Sequence, residues 1–445
     1  MEKTTRSSLL LALVAVAALS ACAAGVIAQS ALPGVGPNPQ LEKPEDKLIP
    51  IPTVNIAPAD GWPEGATPRA PEGFRVTAFA HGLQHPRWVY TLPNGDVLVA
   101  ESNSPPPKDN AKNVHSEGLR GKAMEWVMKR AGAGVPSANR ITLLRDADGD
   151  GVAEVRTVFM SNLFSPFGMA LVGNEFFVAN ADGIVKVPYQ AGQTSVSAAP
   201  VKVTDLPAGA NHHWTKNILA SPDGSKLYAT VGSNSNIGDN GMASEEGRAA
   251  IWEVDRATGN KRLFASGLRN PNGLDWEPQT KVLWTVVNER DELGSNLVPD
   301  YLTSVKDGAF YGWPWAYWGQ NVDTRVKPPN PQMVAKSIAP DYGLGAHVAP
   351  LGLAFSNARM PANYASGAFI GQHGSWNRKN LAGYNVVFVP FANGRPSGMP
   401  VEFLGGFLSD KGRAYGRPVG VALDGKGALL VADDVGNAVW RIAPR

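Results

Sequence analysis

Four stretches of this chain gather side chains that could do chemistry. In "RDADGDGVAE" the carboxylates of Asp146, Asp148 and Asp150 alternate, Gly151 permits a sharp turn, and Glu154 stands at the ninth position. That spacing follows the opening of an EF-hand loop without its twelfth-position Glu, so it reads as a short calcium hairpin of structural role, or as an acidic turn that holds no ion. In "GANHHWTKN" His212 and His213 adjoin. An imidazole can take a proton near neutral pH, bind a metal, or fill a packed corner. In "SGLRNPNGLDWEP" a cation and two amides, Arg269, Asn270 and Asn272, flank the start of an apolar strand. Arginine offers a planar fork of donors and a charge that does not titrate, which suits an anionic ligand as well as a surface salt bridge. In "VNERDELG" Glu289, Asp291 and Glu292 crowd around Arg290, either as hard oxygen ligands for a divalent ion or as a solvated acidic loop.

These residues lie far apart in sequence, so the fold must bring them together. With 48 Gly, 36 Pro and 12 Trp among 445 residues, the chain favours many short strands over long helices. One phrase recurs from Pro86 onward: a turn, an apolar strand, a second turn, a second apolar strand. It reads "HPRWVYTLPNGDVLVAES", "SPFGMALVGNEFFVAN", "WTKNILASPDGSKLYATVGS", "NPNGLDWEPQTKVLWTVVNE", "APLGLAFSN…GAFIGQHGS" and "RPVGVALDGKGALLVADD". Six hairpins of this kind predict an all-β fold, a six-bladed β-propeller over 71–445. A pair of β-sandwiches fits less well, because the phrase persists along the chain. A closed ring buries every blade face and leaves few edges. The strands at 72–80 and 437–444 should share a blade and fasten it. In a propeller the loops at the strand starts converge on one end of the axis, which aims Arg269 and Asn270 at a central pocket. Residues 103–138, with Met124, Val127 and Met128 at helical spacing, read as a helical insertion on one face: a lid, a docking element or a packed excursion.

The first residues read as an export signal: Lys3 and Arg6 flank an apolar run from Leu9 to Leu19, too short to span a membrane. Leu19-Ser20-Ala21-Cys22 resembles a bacterial lipobox, giving a signal at 1–21 and a lipid anchor on Cys22. Cleavage near Val26-Ile27-Ala28 is the alternative. Either predicts an exported, periplasmic protein. Cys22 is the only cysteine, so no disulfide can form within the chain. Residues 22–70 are proline-dense and suit an extended tether, with Trp62 able to dock on the body. A net charge of +2 gives no general pull toward nucleic acid.

Taken in order, "NHHWTKN…SPDGSKLY", "GLRNPNGLDWEP", "VNERDELG", "LTSVKDGAFYGWPW", "APLGLAF" and "IGQHGSWNR" resemble the pyrroloquinoline-quinone (PQQ) dependent soluble aldose dehydrogenases, closest to the L-sorbosone dehydrogenase branch, from about residue 50 to the C-terminus. The resemblance implies PQQ in the central cavity with calcium on its quinone side. Counting back from Ser221-Pro222-Asp223 places the family's catalytic base on His213, while His212 stands where some relatives carry a carboxylate. Arg269, Asn270 and Asn272 fall in a cofactor-binding motif, with Asn272 where relatives commonly carry Gln. The loop of Glu289, Asp291 and Glu292 falls where relatives hold calcium largely through backbone carbonyls, though their Gly-Pro is absent. Arg417 matches one of two arginines that grip PQQ carboxylates; the other falls on Tyr415, where Arg413 could reach instead. A lysine that relatives use is missing from the fifth repeat, with Arg378 or His373 as substitutes. The implied activity is oxidation of an aldose or sugar-derived aldehyde, L-sorbosone-like, to the lactone or acid. The electrons would go to a cytochrome or quinone, since the chain has no C-x-x-C-H and no dinucleotide fingerprint. Trp313, Trp315, Tyr317 and Trp318 could stack on a sugar face or pack between blades. The rival readings are a calcium-dependent propeller lactonase and a non-catalytic exported propeller that binds glycan or protein.

Overall fold

A computed structural model describes residues 33–45, 53–106, 126–209 and 211–445. The expected signal segment, Cys22 and most of the helical insertion, Met124 included, lie outside these residues.

The six repeats build six blades. Four antiparallel strands make the first: Pro86–Thr91, Val97–Glu101, Arg140–Arg145 and Val155–Met160. The second starts at Met169–Val172, the third at Ile218–Ala220, the fourth at Asn270–Trp276, the fifth at Pro350–Phe355 and the sixth at Pro418–Leu423. As the sequence predicts, Phe74–Ala80 closes the ring by pairing antiparallel with Ala438–Pro444 in the sixth blade. Second strands such as Val97–Glu101 and Gly367–Gln372 are buried throughout, because neighbouring blades cover both faces. Fourth strands such as Lys261–Ser266 carry exposed side chains over their first half, whereas Tyr342–Ala346, covered by the N-terminal strand, is buried throughout. That is why the inner strands read as unbroken apolar runs and the outer ones do not.

The recurrent Pro-x-Gly has a packing cause. Inner strands of adjacent blades pass backbone to backbone: a Cβ on Gly273 would stand 2.6 Å from Leu353 N, and one on Gly352 would stand 2.3 Å from Val419 O. Glycine lets the blades close on the axis. The strand register breaks at the same place, between Pro271 and Leu274 and between Pro350 and Gly352. This break turns the residues at the strand starts toward the axis.

The N-terminal segment departs from expectation. Where they are described, residues 33–70 are not a free tether but are held on the propeller. Val35–Gly36 adds a fifth strand to the fourth blade, pairing with Tyr342–Ala346. Further on, Asn55 N donates to Trp376 O at 2.8 Å, Ala57 N to the Tyr384 hydroxyl at 3.1 Å, and Asp60 N to Ala414 O at 2.8 Å. A proline-rich segment cannot build a core of its own, but its remaining backbone groups and one aromatic can use a ready surface. Trp62 packs on Phe407, Tyr415 and Trp440 and donates Nε1–H to Asp433 Oδ2 at 2.7 Å. Trp62→Ala should cost about 2 kcal/mol in urea unfolding, the lower side of a buried Trp truncation because the ring is half-buried. An unchanged unfolding midpoint would show that the segment is detached in solution.

Candidate active site

The starts of the first strands and the ends of the second strands face one end of the ring, and the segments flanking them in every blade but the second line a cavity of about 450 Å³. Its size falls in the usual range for a small-molecule site, roughly 300–1,000 Å³. The residues just before the turn prolines, His85, Asn270, Ala349 and Arg417, all line it. So do residues following the second strands: Asn103, Glu289, His373 and Asp434. Ile56 of the N-terminal segment and Met128, Ala131, Gly132 and Ala133 of the insertion also line it, with residues 126–130 helical.

His213 lies in this wall. Its Nδ1 meets Ser233 O at 2.9 Å and Ser233 Oγ at 3.0 Å. A carbonyl only accepts, so Nδ1 carries the hydrogen and Nε2 keeps its lone pair. No described residue bonds Nε2. Burial, with Arg269 and His212 nearby, holds the His213 pKa well below 6.5. The ring is therefore a neutral base across the physiological range. His212 lines the cavity beside it, the ring centroids 4.6 Å apart.

Arg269 is buried in the wall and largely committed to the protein. It donates through Nη1 to Glu289 O at 2.7 Å, through Nη2 to Asp291 Oδ2 at 2.7 Å and Asn236 Oδ1 at 3.1 Å, and through Nε to Asn236 O at 3.3 Å. Asn270 lines the cavity with its buried Oδ1 unpartnered. Arg417 donates Nη2–H to Ala57 O at 3.1 Å, with Nε unpartnered and the guanidinium 4.9 Å from the Tyr384 ring.

Two expected cofactor residues lie elsewhere. Asn272 is fully buried behind the wall, accepting from Thr215 Oγ1 at 2.8 Å and donating to Asn270 O at 3.2 Å. The register break turns it toward the third blade. Arg378 is held between Ala346 O at 3.0 Å and Asn296 Oδ1 at 3.2 Å, and Gly374 and Trp376 take the wall position in its segment. Arg413 pairs with Asp60 and does not line the cavity either. The aromatic stretch packs: Trp313 Nε1–H donates to Asn236 O at 2.8 Å, Tyr317 joins Leu293 and Val298, and neither Trp315 nor Trp318 lines the cavity.

The cavity wall also holds an ion cluster, and of its members sequence reasoning named only His373. Asp434 pairs with Arg87, meets His373 Nε2 at 2.8 Å and lies 3.6 Å from His85 Nε2. Burial works against its charge, but His373, His85 and Arg87 outweigh that and hold its pKa far below the usual carboxylate range. Arg87 follows the turn proline, where the fourth and sixth repeats carry Asn272 and Val419, so the repeat pattern does not point to it, and Asp434 and His347 carried no repeat signal either. Burial lowers the His85 pKa to about 4, and burial lowers that of His373 as well. Between pH 6.5 and 5 the unfolded chain therefore binds protons that the folded chain refuses. Stability should fall on acidification in this window, by about 1.4 kcal/mol per pH unit for His85 at the limit. His347, whose pKa is raised, opposes this in part. Urea unfolding of His85→Gln should show a shallower slope with pH, and a flat wild-type profile would contradict the burial of these rings.

The expected metal residues divide into two groups. Glu289, Asp291 and Glu292 all line the cavity, but their carboxylates do not converge. Asp291 turns to Arg269 and to His347 Nδ1 at 3.3 Å. Burial presses on Asp291, yet Arg269 and His347 keep its pKa below the ordinary value. Glu289 accepts from Arg290 N at 3.0 Å, and burial pushes its pKa up to about 8. Asp146, Asp148, Asp150 and Glu154 do converge, offering ligand atoms within 4.8 Å of one another. Their loop joins the third and fourth strands of the first blade, at the end away from the cavity.

Residues 135–303 and 323–444 match the TrAA12-like family. An uncharacterized protein of Borreliella burgdorferi is 30% identical over 233 residues, 52% of this chain and 60% of that protein. The aldose sugar dehydrogenase of Escherichia coli is 26% identical over 209 residues, 46% of this chain and 47% of that protein. The chain thus spans about half the length of the curated relatives it matches. In fold it is similar to the holo PQQ domain of pyranose dehydrogenase from Coprinopsis cinerea, with TM-score 0.67, 19% identity, and coverage of 87% of this chain and 100% of that one. The calcium structure of the Trichoderma reesei family AA12 enzyme gives TM-score 0.67 at 18% identity, covering 88% and 99%. The PQQ-bound aldose sugar dehydrogenase of Streptomyces coelicolor gives 0.53 at 18%, covering 84% and 100%. The family match runs through both halves of the propeller that carries the cavity, and the chain belongs to the TrAA12-like family.

Proposed function

We propose that this protein is a PQQ-dependent oxidoreductase that oxidises an aldose or sugar-derived aldehyde, L-sorbosone-like, to the lactone or acid. The carrying observation is a neutral histidine whose Nε2 is left for the cavity, in a wall that also holds Arg87, Arg269 and Arg417. The residues fit the cofactor's chemistry. A tricarboxylate ortho-quinone needs cations and fixed donors, and here Arg87, His85 and His373 face one carboxylate, Asp434, Arg417 lines the same cavity, and the Nε atoms of Arg87 and Arg417 are unpartnered. Bound there, PQQ would supply the two-electron acceptor for a substrate C–H bond. His213 would take the hydroxyl proton at Nε2, with Ser233 holding the ring in the right tautomer. Electrons would leave to a cytochrome or quinone. The export signal and the Cys22 anchor would place the protein at the periplasmic side of a membrane.

Calcium belongs, on this reading, to the loop of Asp146, Asp148, Asp150 and Glu154, as a structural ion. Asp148→Ala should lower Tm at limiting calcium and leave PQQ binding intact. If calcium shifts the Tm of neither wild type nor variant, the loop holds no ion.

Purified apoprotein reconstituted with PQQ, assayed by dye reduction on a panel of aldoses and osones, tests the activity. Lactone opening without PQQ, or no dye reduction on any substrate, would overturn it.

A further inference from the structure

Arg417 is tied to the protein through one nitrogen. Its Nη2 donates to Ala57 O at 3.1 Å and to the Tyr384 hydroxyl at 3.3 Å, and the guanidinium stands 4.9 Å over the Tyr384 ring. Nε is buried without a partner, and no described residue bonds Nη1. The contacts that hold the group therefore leave two of its three nitrogens for an anion in the cavity it lines.

Tyr384 makes the joint. A phenol hydroxyl gives one hydrogen and accepts two. This one gives to Ser375 O at 2.9 Å and accepts from Ala57 N at 3.1 Å as well as from Arg417. One buried residue thus unites the fifth blade, the sixth blade and the N-terminal segment. The fit is tight: Tyr384 takes φ 60°, in the left-handed region that non-glycine residues seldom adopt, and a Cβ on Gly374 would stand 2.5 Å from three carbons of its ring. Gly374 lines the cavity, so the ring lies directly behind the wall. On the other side, Ala57 follows Ile56, which lines the cavity, and the Ala59 N donates to Arg130 O of the insertion at 3.0 Å. An arginine side chain has many rotamers, and a guanidinium fixed before its ligand arrives loses less on binding.

We propose that Tyr384 and Ala57 form a clasp that orients Arg417 for a carboxylate of the cofactor, and that makes residues 53–60 part of the cofactor site. Tyr384 is a positioning residue: it acts through Arg417 and touches no ligand. The identity of the anion rests on the PQQ reading above, and the experiment separates the two. Tyr384→Phe keeps the ring under the guanidinium and removes the hydroxyl. It should weaken PQQ about tenfold by tryptophan fluorescence titration, mostly through faster dissociation. Hydrogen exchange at residues 55–60 of the apoprotein should also quicken, because Ala57 N loses its acceptor. Since the hydroxyl acts through the guanidinium, adding Tyr384→Phe to Arg417→Ala should change the Kd by less than about twofold. A tyrosine with a merely structural role would weaken PQQ by the same factor in both backgrounds, and that result overturns the proposal. So does an unchanged Kd in folded Tyr384→Phe. Should Tyr384→Phe not fold, Arg417→Ala becomes the test: it must speed exchange at residues 55–60 without ligand, and wild-type protection there is equally fatal. Wild type that binds no PQQ refutes the PQQ reading, and exchange in the two single variants then decides the clasp by itself.

Discussion

His213→Ala should oxidise its sugar or aldehyde about 10²–10⁴-fold more slowly at saturating substrate while binding PQQ as wild type does. The separation follows from the ring's attachments. Its contact with the protein is through Nδ1 to Ser233, and Nε2 is left for the cavity. Removing the ring takes a base from the substrate's proton and leaves Arg87, Arg269 and Arg417 in place. His213→Gln should be nearly as slow, since an amide cannot take a proton, and that variant controls for lost volume. Both must match wild type by circular dichroism before kinetics. The pH profile gives a second reading of the same group. Because its pKa is depressed, His213 stays neutral as pH falls through 6.5, so the acid limb of kcat/KM should lie below 6.5. A limb centred at or above 6.5, or wild-type turnover in His213→Ala, would assign the base elsewhere.

The fold was legible because its signals are local and repeated. Each hairpin carries its own turn and its own apolar pair, and the glycine after the turn proline marks where neighbouring blades touch. Arg269 and Asn270 stood out as a cation and an amide at a strand start, and Arg417 came from the family resemblance, whereas Arg87 lies one residue past its turn proline and had neither signal. Among the second-strand ends, Glu289 and His373 were named and Asp434 was not. Asp434 and His373 come from different blades, and what joins them is ring geometry rather than spacing. Asn272 misled because an amide two residues after Asn270 should share its face in a regular strand, and the strand is irregular there. Glu289, Asp291 and Glu292 misled for an electrostatic reason. Carboxylates crowding one loop suggest a missing cation, but Asp291 already pairs with Arg269 and faces His347, both from outside the loop. The N-terminal segment read as a tether because it lacks a core, whereas its backbone groups are satisfied by other blades.

Asp434→Ala should be among the most destabilising single changes in the protein, by about 3–5 kcal/mol, because it strands the buried Arg87 guanidinium without its partner. Arg87 and Asp434 are both buried, and His373 shares the same carboxylate oxygen at 2.8 Å. For a chain of this length that loss corresponds to a fall in Tm of about 5 °C. Asp434→Asn keeps the shape and loses the charge, so it should fall between wild type and alanine. The deficit should change little with salt, since a buried pair is poorly screened. It should also be constant from about pH 7 to 8, where Asp434 is ionised in folded and unfolded chains alike, and should grow as pH falls below 6.5, because Asp434 supports the protonation of His85 and His373 in the folded chain. The cofactor supplies the discriminating arm. If PQQ carboxylates lie against Arg87 and His373, they provide the counter-charge that the variant lacks. Saturating PQQ should then raise the Tm of Asp434→Ala by more than it raises that of wild type, since the ligand stabilises in proportion to its affinity for the folded state. A wild-type Tm in Asp434→Ala would show that the cluster contributes nothing. An equal PQQ-induced rise in both proteins would show that the cofactor's carboxylates do not contact Arg87, whatever else the cavity binds.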